Sequence, residues 1–185
     1  MTNTIRWSLA TVSAVALALL TLNADPFSST PIEAFNAGGG CPAAAKPANF
    51  NFTLNDISNK PVKLSAFKGK VILMDFWATW CGPCKIEIPW FMEFQEKYGK
   101  NGLQVLGVSV DDTLAKLKPY VTAKKMNYVI LQALDHDDMQ DAYGPMLGIP
   151  TTLLISRDGN VCSRHTGLTG KDIFEREIKA LLGVS

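Results

Sequence analysis

The stretch from Val71 to Lys85 constrains this chain more than any other. An unbroken apolar run, Val71-Ile72-Leu73-Met74-Asp75-Phe76-Trp77, leads almost directly into Trp80-Cys81-Gly82-Pro83-Cys84-Lys85. A short, bulky run of this kind predicts a strand buried on both faces of a sheet. Beyond it, Ile86, Ile88, Phe91 and Phe94 fit an amphipathic helix. Cys81 is therefore expected at a helix N-terminus, where unpaired backbone N–H groups and the helix dipole favour a thiolate. A lowered thiol pKa makes a cysteine nucleophilic near neutral pH. Cys84, one turn further in, should be the more buried thiol. The pattern is that of a redox dithiol in which Cys81 attacks and Cys84 resolves.

Two cysteines at this spacing are also half of a zinc site. The other half would have to come from Cys41, Cys162, His136 and His165, no two of which stand at ligand spacing. No metal and no cofactor is expected. His136 and His165 read as surface residues, and Asp135-His136-Asp137-Asp138 as an acidic helix-capping loop.

The 185 residues suffice for one domain with a sizeable core. Net charge is +1 and no basic block occurs, so nucleic acid is not an expected partner. Arg6 is the one basic side chain of a short leader, and Trp7 to Leu22 is uncharged and largely apolar. That pattern reads as a secretory h-region of an exported protein, so residues 1–24 are expected to be a signal peptide or a membrane anchor. Residues 25–48 are rich in Pro, Ser, Ala, Asn and Gly without periodicity and read as a flexible tether. Residues 49–185 are the folded part.

Within it, Phe50–Leu54 and Val62–Leu64 suggest an N-terminal hairpin around Asp56–Lys60, and Val71–Trp77 a central strand. Helices are expected over Pro83–Tyr98, Thr113–Lys125 with an interruption at Pro119, Asp138–Tyr143 and Lys171–Leu182. Further strands are expected over Gln104–Val110, Val129–Leu131, Thr151–Ser156 and Asn160–His165, the last two flanking the hairpin signal Arg157-Asp158-Gly159.

Asp75-Phe76-Trp77-Ala78-Thr79-Trp80-Cys81-Gly82-Pro83-Cys84-Lys85 closely resembles the active-site segment of thioredoxin. The Phe67-Lys68-Gly69-Lys70 approach and Glu87 resemble the TlpA/ResA branch of membrane-associated, extracytoplasmic thiol-disulfide oxidoreductases. The resemblance spans about residues 49 to 185. It implies an α/β fold, a thioredoxin-like sandwich with a central mixed sheet and an N-terminal hairpin. It also implies that Asp75 is the buried aspartate that takes the proton of Cys84 through a water. The lysine that thioredoxin sets opposite this aspartate falls here near Gly107, so the Asp75 pKa should rise further. Pro150, in Gly148-Ile149-Pro150-Thr151, resembles the cis-proline of the fold, which offers the backbone of Ile149 to an extended substrate. Trp80, Gly82, Pro83, Ile149 and Pro150 are accordingly the expected substrate-binding residues. Glu87 either tunes the thiols or is a solvated surface charge, and Pro89 matches a helix-kinking proline.

Cys41 and Cys162 bring the cysteines to an even number, as an exported protein favours. They form either a structural disulfide or a buried Cys162 with a free Cys41. The implied activity is thiol-disulfide exchange on protein disulfide clients. Gly82-Pro83 between the thiols points to a reductant, which outside the cytoplasm needs a membrane electron donor. By family resemblance, clients include apocytochrome c or copper-site assembly proteins. Two other classes compete. A peroxiredoxin would carry proline and threonine ahead of its nucleophile, where this chain has Ala78-Thr79-Trp80. A Sco-type copper chaperone would space its cysteines one residue further apart and add a distal histidine such as His165.

Overall fold

The computed structural model describes residues 40–144 and 146–185. The expected leader and most of the expected tether lie outside them. Among the described residues no helix is long and apolar enough to cross a membrane. In chain order the elements are β1 (Lys46–Pro47), β2 (Thr53–Asp56), β3 (Pro61–Lys63), β4 (Val71–Trp77), α1 (Gly82–Tyr98), β5 (Leu103–Ser109), α2 (Leu114–Lys124), β6 (Val129–Gln132), α3 (Asp137–Ala142), β7 (Thr151–Ile155), β8 (Asn160–Thr166) and α4 (Lys171–Leu182).

The fold is built around β4, which is buried at every position. Period-two alternation sends Val71, Leu73 and Trp77 to one face of the sheet and Ile72, Met74 and Phe76 to the other. On the first face, β4 meets Phe91 and Phe94 of α1, Leu117 and Val121 of α2, and Phe174 and Ile178 of α4. On the second it meets Met139 of α3 together with Phe50, Leu54 and Leu64. The sheet order is β1-β8-β7-β4-β5-β6-β2-β3. Strands β4, β5 and β6 run parallel, with β7 antiparallel to β4 and β2 antiparallel to β6. This is the mixed-sheet thioredoxin-like sandwich, with β2 and β3 as its N-terminal hairpin.

Several expectations need correction. Phe50 fills the second core from a loop, so β2 starts only at Thr53. Pro119 does not interrupt α2, which continues across it to Lys124. Ile86 is 49 % exposed and so lies outside the buried stripe of α1, which is Cys84, Glu87, Ile88, Phe91, Phe94 and Tyr98. His136 precedes α3 without a side-chain capping bond, although Asp137 and Asp138 do occupy the first turn. The expected tether also overlaps the fold at its end. Lys46 and Pro47 pair with Val161 and Asn160, and Ala48 N donates to Gly159 O at 2.8 Å. Backbone pairing needs no side-chain periodicity, so composition alone reads these residues as linker.

Candidate active site

Strand β4 ends at Trp77, and four residues later Cys81 is the N-cap of α1, its Sγ accepting a hydrogen bond from Cys84 N at 3.2 Å. Gly82 and Pro83 form the exposed first residues of the helix, where a proline loses nothing by lacking an N–H. Cys81 and Cys84 are joined as a disulfide, with Cα atoms 5.4 Å apart. Cys81 retains 3 % exposure and Cys84 none. An incoming group therefore meets Cys81 first, with the helix N-terminus placed to stabilise negative charge on its sulfur.

Acids from the end of β5 hold the approach to Cys81. Asp112, fully buried, accepts from Thr79 N at 2.7 Å, Thr79 Oγ1 at 2.6 Å and Ser109 Oγ at 2.9 Å. Asp111 accepts from Trp80 Nε1 at 2.9 Å, which leaves the indole 60 % exposed. The pair follows directly on the strand expected over Gln104–Val110 and had no role in the reading of the sequence. Their signal was an acid pair directly after an apolar parallel strand, at the same end of the sheet as the cysteines.

Behind the dithiol lie two buried carboxyls. Asp75 shares a sheet face with Leu73 and Trp77, and stands opposite Gly107 of β5 and Thr152 of β7. Its Oδ1 accepts from Thr152 Oγ1 at 3.3 Å, and its Oδ2 has no partner among the described residues. Burial pushes its pKa well up, the nearby Glu87 carboxyl pushes the same way, and the Thr152 bond opposes both. Gly107 supplies no cation there; a Cβ at that position would lie only 3.0 Å from Trp77 Nε1 and 3.1 Å from the Tyr128 ring.

Glu87 is fully buried, one turn after Cys84 on the same stripe of α1, which rules out the solvated surface charge. Its Oε1 accepts from Thr169 N at 3.0 Å, while Oε2 is unpartnered. Burial raises its pKa to about 7, against the Thr169 bond and the charge of His165. The spacing Cys84, Glu87, Ile88, Phe91 (i, i+3, i+4, i+7) was the signal for its burial.

The Ile149–Pro150 peptide bond is cis. Thr151, the next residue, pairs with Phe76, so this loop and the dithiol lie at the same end of the sheet. Among the described residues the exposed large hydrophobics are Trp80, Ile86, Leu147 and Leu168. They come from the Cys81 approach, the first turns of α1, the Pro150 loop and the β8–α4 connection, which is the segment whose Thr169 holds Glu87. Cys41 and Cys162 are also joined as a disulfide, with Cα atoms 4.6 Å apart. His165 is not a surface residue: its side chain is 16 % exposed and its Nε2 lies 2.9 Å from Glu177 Oε2.

A mixed sheet carrying a Cys-Gly-Pro-Cys pair on a helix N-terminus, backed by buried acids, defines a thioredoxin-like dithiol protein. The chain belongs to the AhpC/TSA family, which matches residues 45–164, and is a thiol-disulfide oxidoreductase of the ResA/DsbE type. Thiol-disulfide oxidoreductase ResA of Bacillus thuringiensis subsp. konkukian (strain 97-27) is 31% identical over 132 residues, covering 71% of this chain and 75% of that protein. ResA of Geobacillus kaustophilus (strain HTA426) is 31% identical over 134 residues, 71% of this chain and 74% of that protein. A crystal structure of a thioredoxin-family thiol:disulfide interchange protein from Chlorobium tepidum TLS matches with a TM-score of 0.69 at 31% identity. It covers 77% of this chain and 99% of that one.

Proposed function

We propose that this oxidoreductase reduces disulfides of protein clients outside the cytoplasm, with Cys81 as nucleophile and Cys84 as resolving thiol. The Cys81 thiolate attacks a client disulfide, forming a mixed disulfide and releasing one client thiolate. Cys84 then gives its proton to Asp75 and attacks Cys81 Sγ. The second client thiolate leaves and takes up that proton, so two electrons pass to the client and Cys81–Cys84 ends as a disulfide. The carrying observation is the pair of buried, incompletely partnered carboxyls behind a helix-capping cysteine. Burial makes the carboxylate form of such a group a stronger base than an exposed one, so Asp75 as carboxylate takes the Cys84 proton and, as carboxylic acid, returns it to the leaving client thiolate.

The apolar rim of Trp80, Ile86, Leu147 and Leu168 supports a macromolecular client, since patches of this kind serve recognition. Gly82, Pro83, Ile149 and Pro150 complete the binding surface. The Cys41–Cys162 disulfide supports an oxidising compartment, and the apolar leader supports export with either cleavage or anchorage of residues 1–24. In that compartment the dithiol needs a membrane donor of electrons. Clients in cytochrome c or copper-site assembly rest on family resemblance. Equilibration of the Cys81/Cys84 pair against glutathione buffers tests the direction. A potential near or below about −250 mV fits a reductant, and one near about −120 mV fits an oxidant and removes the reductive reading.

A further inference from the structure

His165 takes no part in the thiol chemistry above, yet it ends a polar row that begins beside it. Gly107, Asp75, Thr152 and His165 stand directly opposite one another on β5, β4, β7 and β8. Residues paired across a sheet share a face, so His165 lies on the side of Asp75, under α1 and α4. Its ring packs edge-on against Phe174 of α4, with centroids 5.2 Å apart. From α4, Glu177, only 6 % exposed, accepts from Ser163 Oγ at 2.7 Å with the same Oε2 that lies 2.9 Å from His165 Nε2. A carboxylate oxygen only accepts, so Nε2 carries the hydrogen and the imidazole is clamped. From α1, Glu87 reaches the same face, where Thr169 N, four residues beyond His165, holds its Oε1. One short segment thus fixes both the imidazole and the Glu87 carboxyl.

We propose that His165, clamped by Glu177, is a positioning residue for the dithiol that acts by facing Glu87 and governing the ionisation of that carboxyl. This rests on the reading of Glu87 as a group that tunes the thiols. When it carries a proton, the imidazole attracts the Glu87 carboxylate. Its charge and the Thr169 bond both oppose the effect of burial on Glu87. The other groups facing Glu87 are Asp75 from β4, Tyr128 ahead of β6 and the Thr169 amide. Those facing His165 are Ser163 of its own strand, Thr152 of β7, Glu177 and Phe174 of α4, and Glu87.

The test is the pH profile of the Cys81/Cys84 equilibrium with glutathione, measured on the full chain. His165→Gln keeps an amide donor for Glu177 but never carries charge. It should move the Glu87 break upward by about half a pH unit. Glu177→Gln, which keeps an acceptor for Nε2 but removes the charge that favours the protonated imidazole, should move the break the same way by less, and serves if His165→Gln does not fold. Glu87→Gln should erase the break, and His165→Gln in that background should change nothing. A break that His165→Gln leaves in place or lowers overturns the proposal, as does a shift that survives Glu87→Gln. A break that persists in Glu87→Gln alone overturns the reading of Glu87 itself.

Discussion

The molecule carries two disulfides in opposite settings. Cys81–Cys84 closes a loop of two residues at the end of β4 where Trp77 opens into α1, on a helix N-terminus with exposed apolar side chains around it. Cys41–Cys162 joins residues 121 apart at the other end of the sheet. Cys162 sits where β8 pairs with Leu154 and Ile155, which face Leu73 and Ile72 near the start of β4. From there to Thr166, opposite Thr151 beside Pro150, is about 13 Å of strand. The first bond sits at a helix N-terminus with two buried acids behind it. The second lies on β8, with β7 paired on one side and the edge strand β1 on the other. On the proposed reading, the same covalent bond is a reaction centre in one place and a staple in the other, and its surroundings decide which.

The largest expected effect separates the two at once. Cys81→Ser should lower disulfide reduction by more than about 10³-fold, roughly 4 kcal/mol of barrier. Cys84→Ser should instead accumulate the mixed disulfide, visible by non-reducing electrophoresis. The paired change Cys41→Ser with Cys162→Ser should leave reductase rates within about twofold and cost about 2–4 kcal/mol in urea unfolding. If those rates collapse with the fold intact, the staple is no longer merely a staple. Asp75→Asn should slow resolution of the mixed disulfide by about 10²-fold near neutral pH, a stopped-flow measurement. The defect should shrink as rising pH ionises Cys84 unaided.

The smallest effect concerns stability. The Glu87 carboxyl ionises near its ordinary value of 4.5 in the unfolded chain but only at about 7 in the fold. The fold therefore holds an extra proton between those values, and its stabilisation is full below the lower one and lost as pH rises through the upper. Glu87→Gln should abolish that decline and gain about 2 kcal/mol at pH 8 relative to the parent. Urea titrations at acid and alkaline pH that differ equally for both proteins would contradict it.

Most of the fold was legible because its signals are local. The unbroken β4 run and the Lys171–Leu182 periodicity both returned as elements with those bounds. The placement of the cysteine pair and the burial of the acid on the preceding strand were legible for the same reason, since they lie close in sequence. What stayed hidden was long-range. Asp112 reaches Thr79 from 33 residues away, and Thr169 reaches Glu87 from 82 residues away. His165 looked superficial because its neighbours along β8, Arg164 and Thr166, are polar. Its burial comes from α4, which a strand's own pattern does not report. Lys46–Pro47 join the sheet by backbone alone.

One titration bears directly on the contrast between the two bonds. The oxidised full chain is equilibrated across glutathione or dithiothreitol buffers, then alkylated, and each cysteine's state is read by peptide mass spectrometry. The account predicts that Cys81 and Cys84 become reduced together while Cys41–Cys162 stays closed, with the two midpoints at least about 30 mV apart, a factor of about ten in equilibrium constant. Simultaneous opening of both bonds, or earlier opening of Cys41–Cys162, would contradict it.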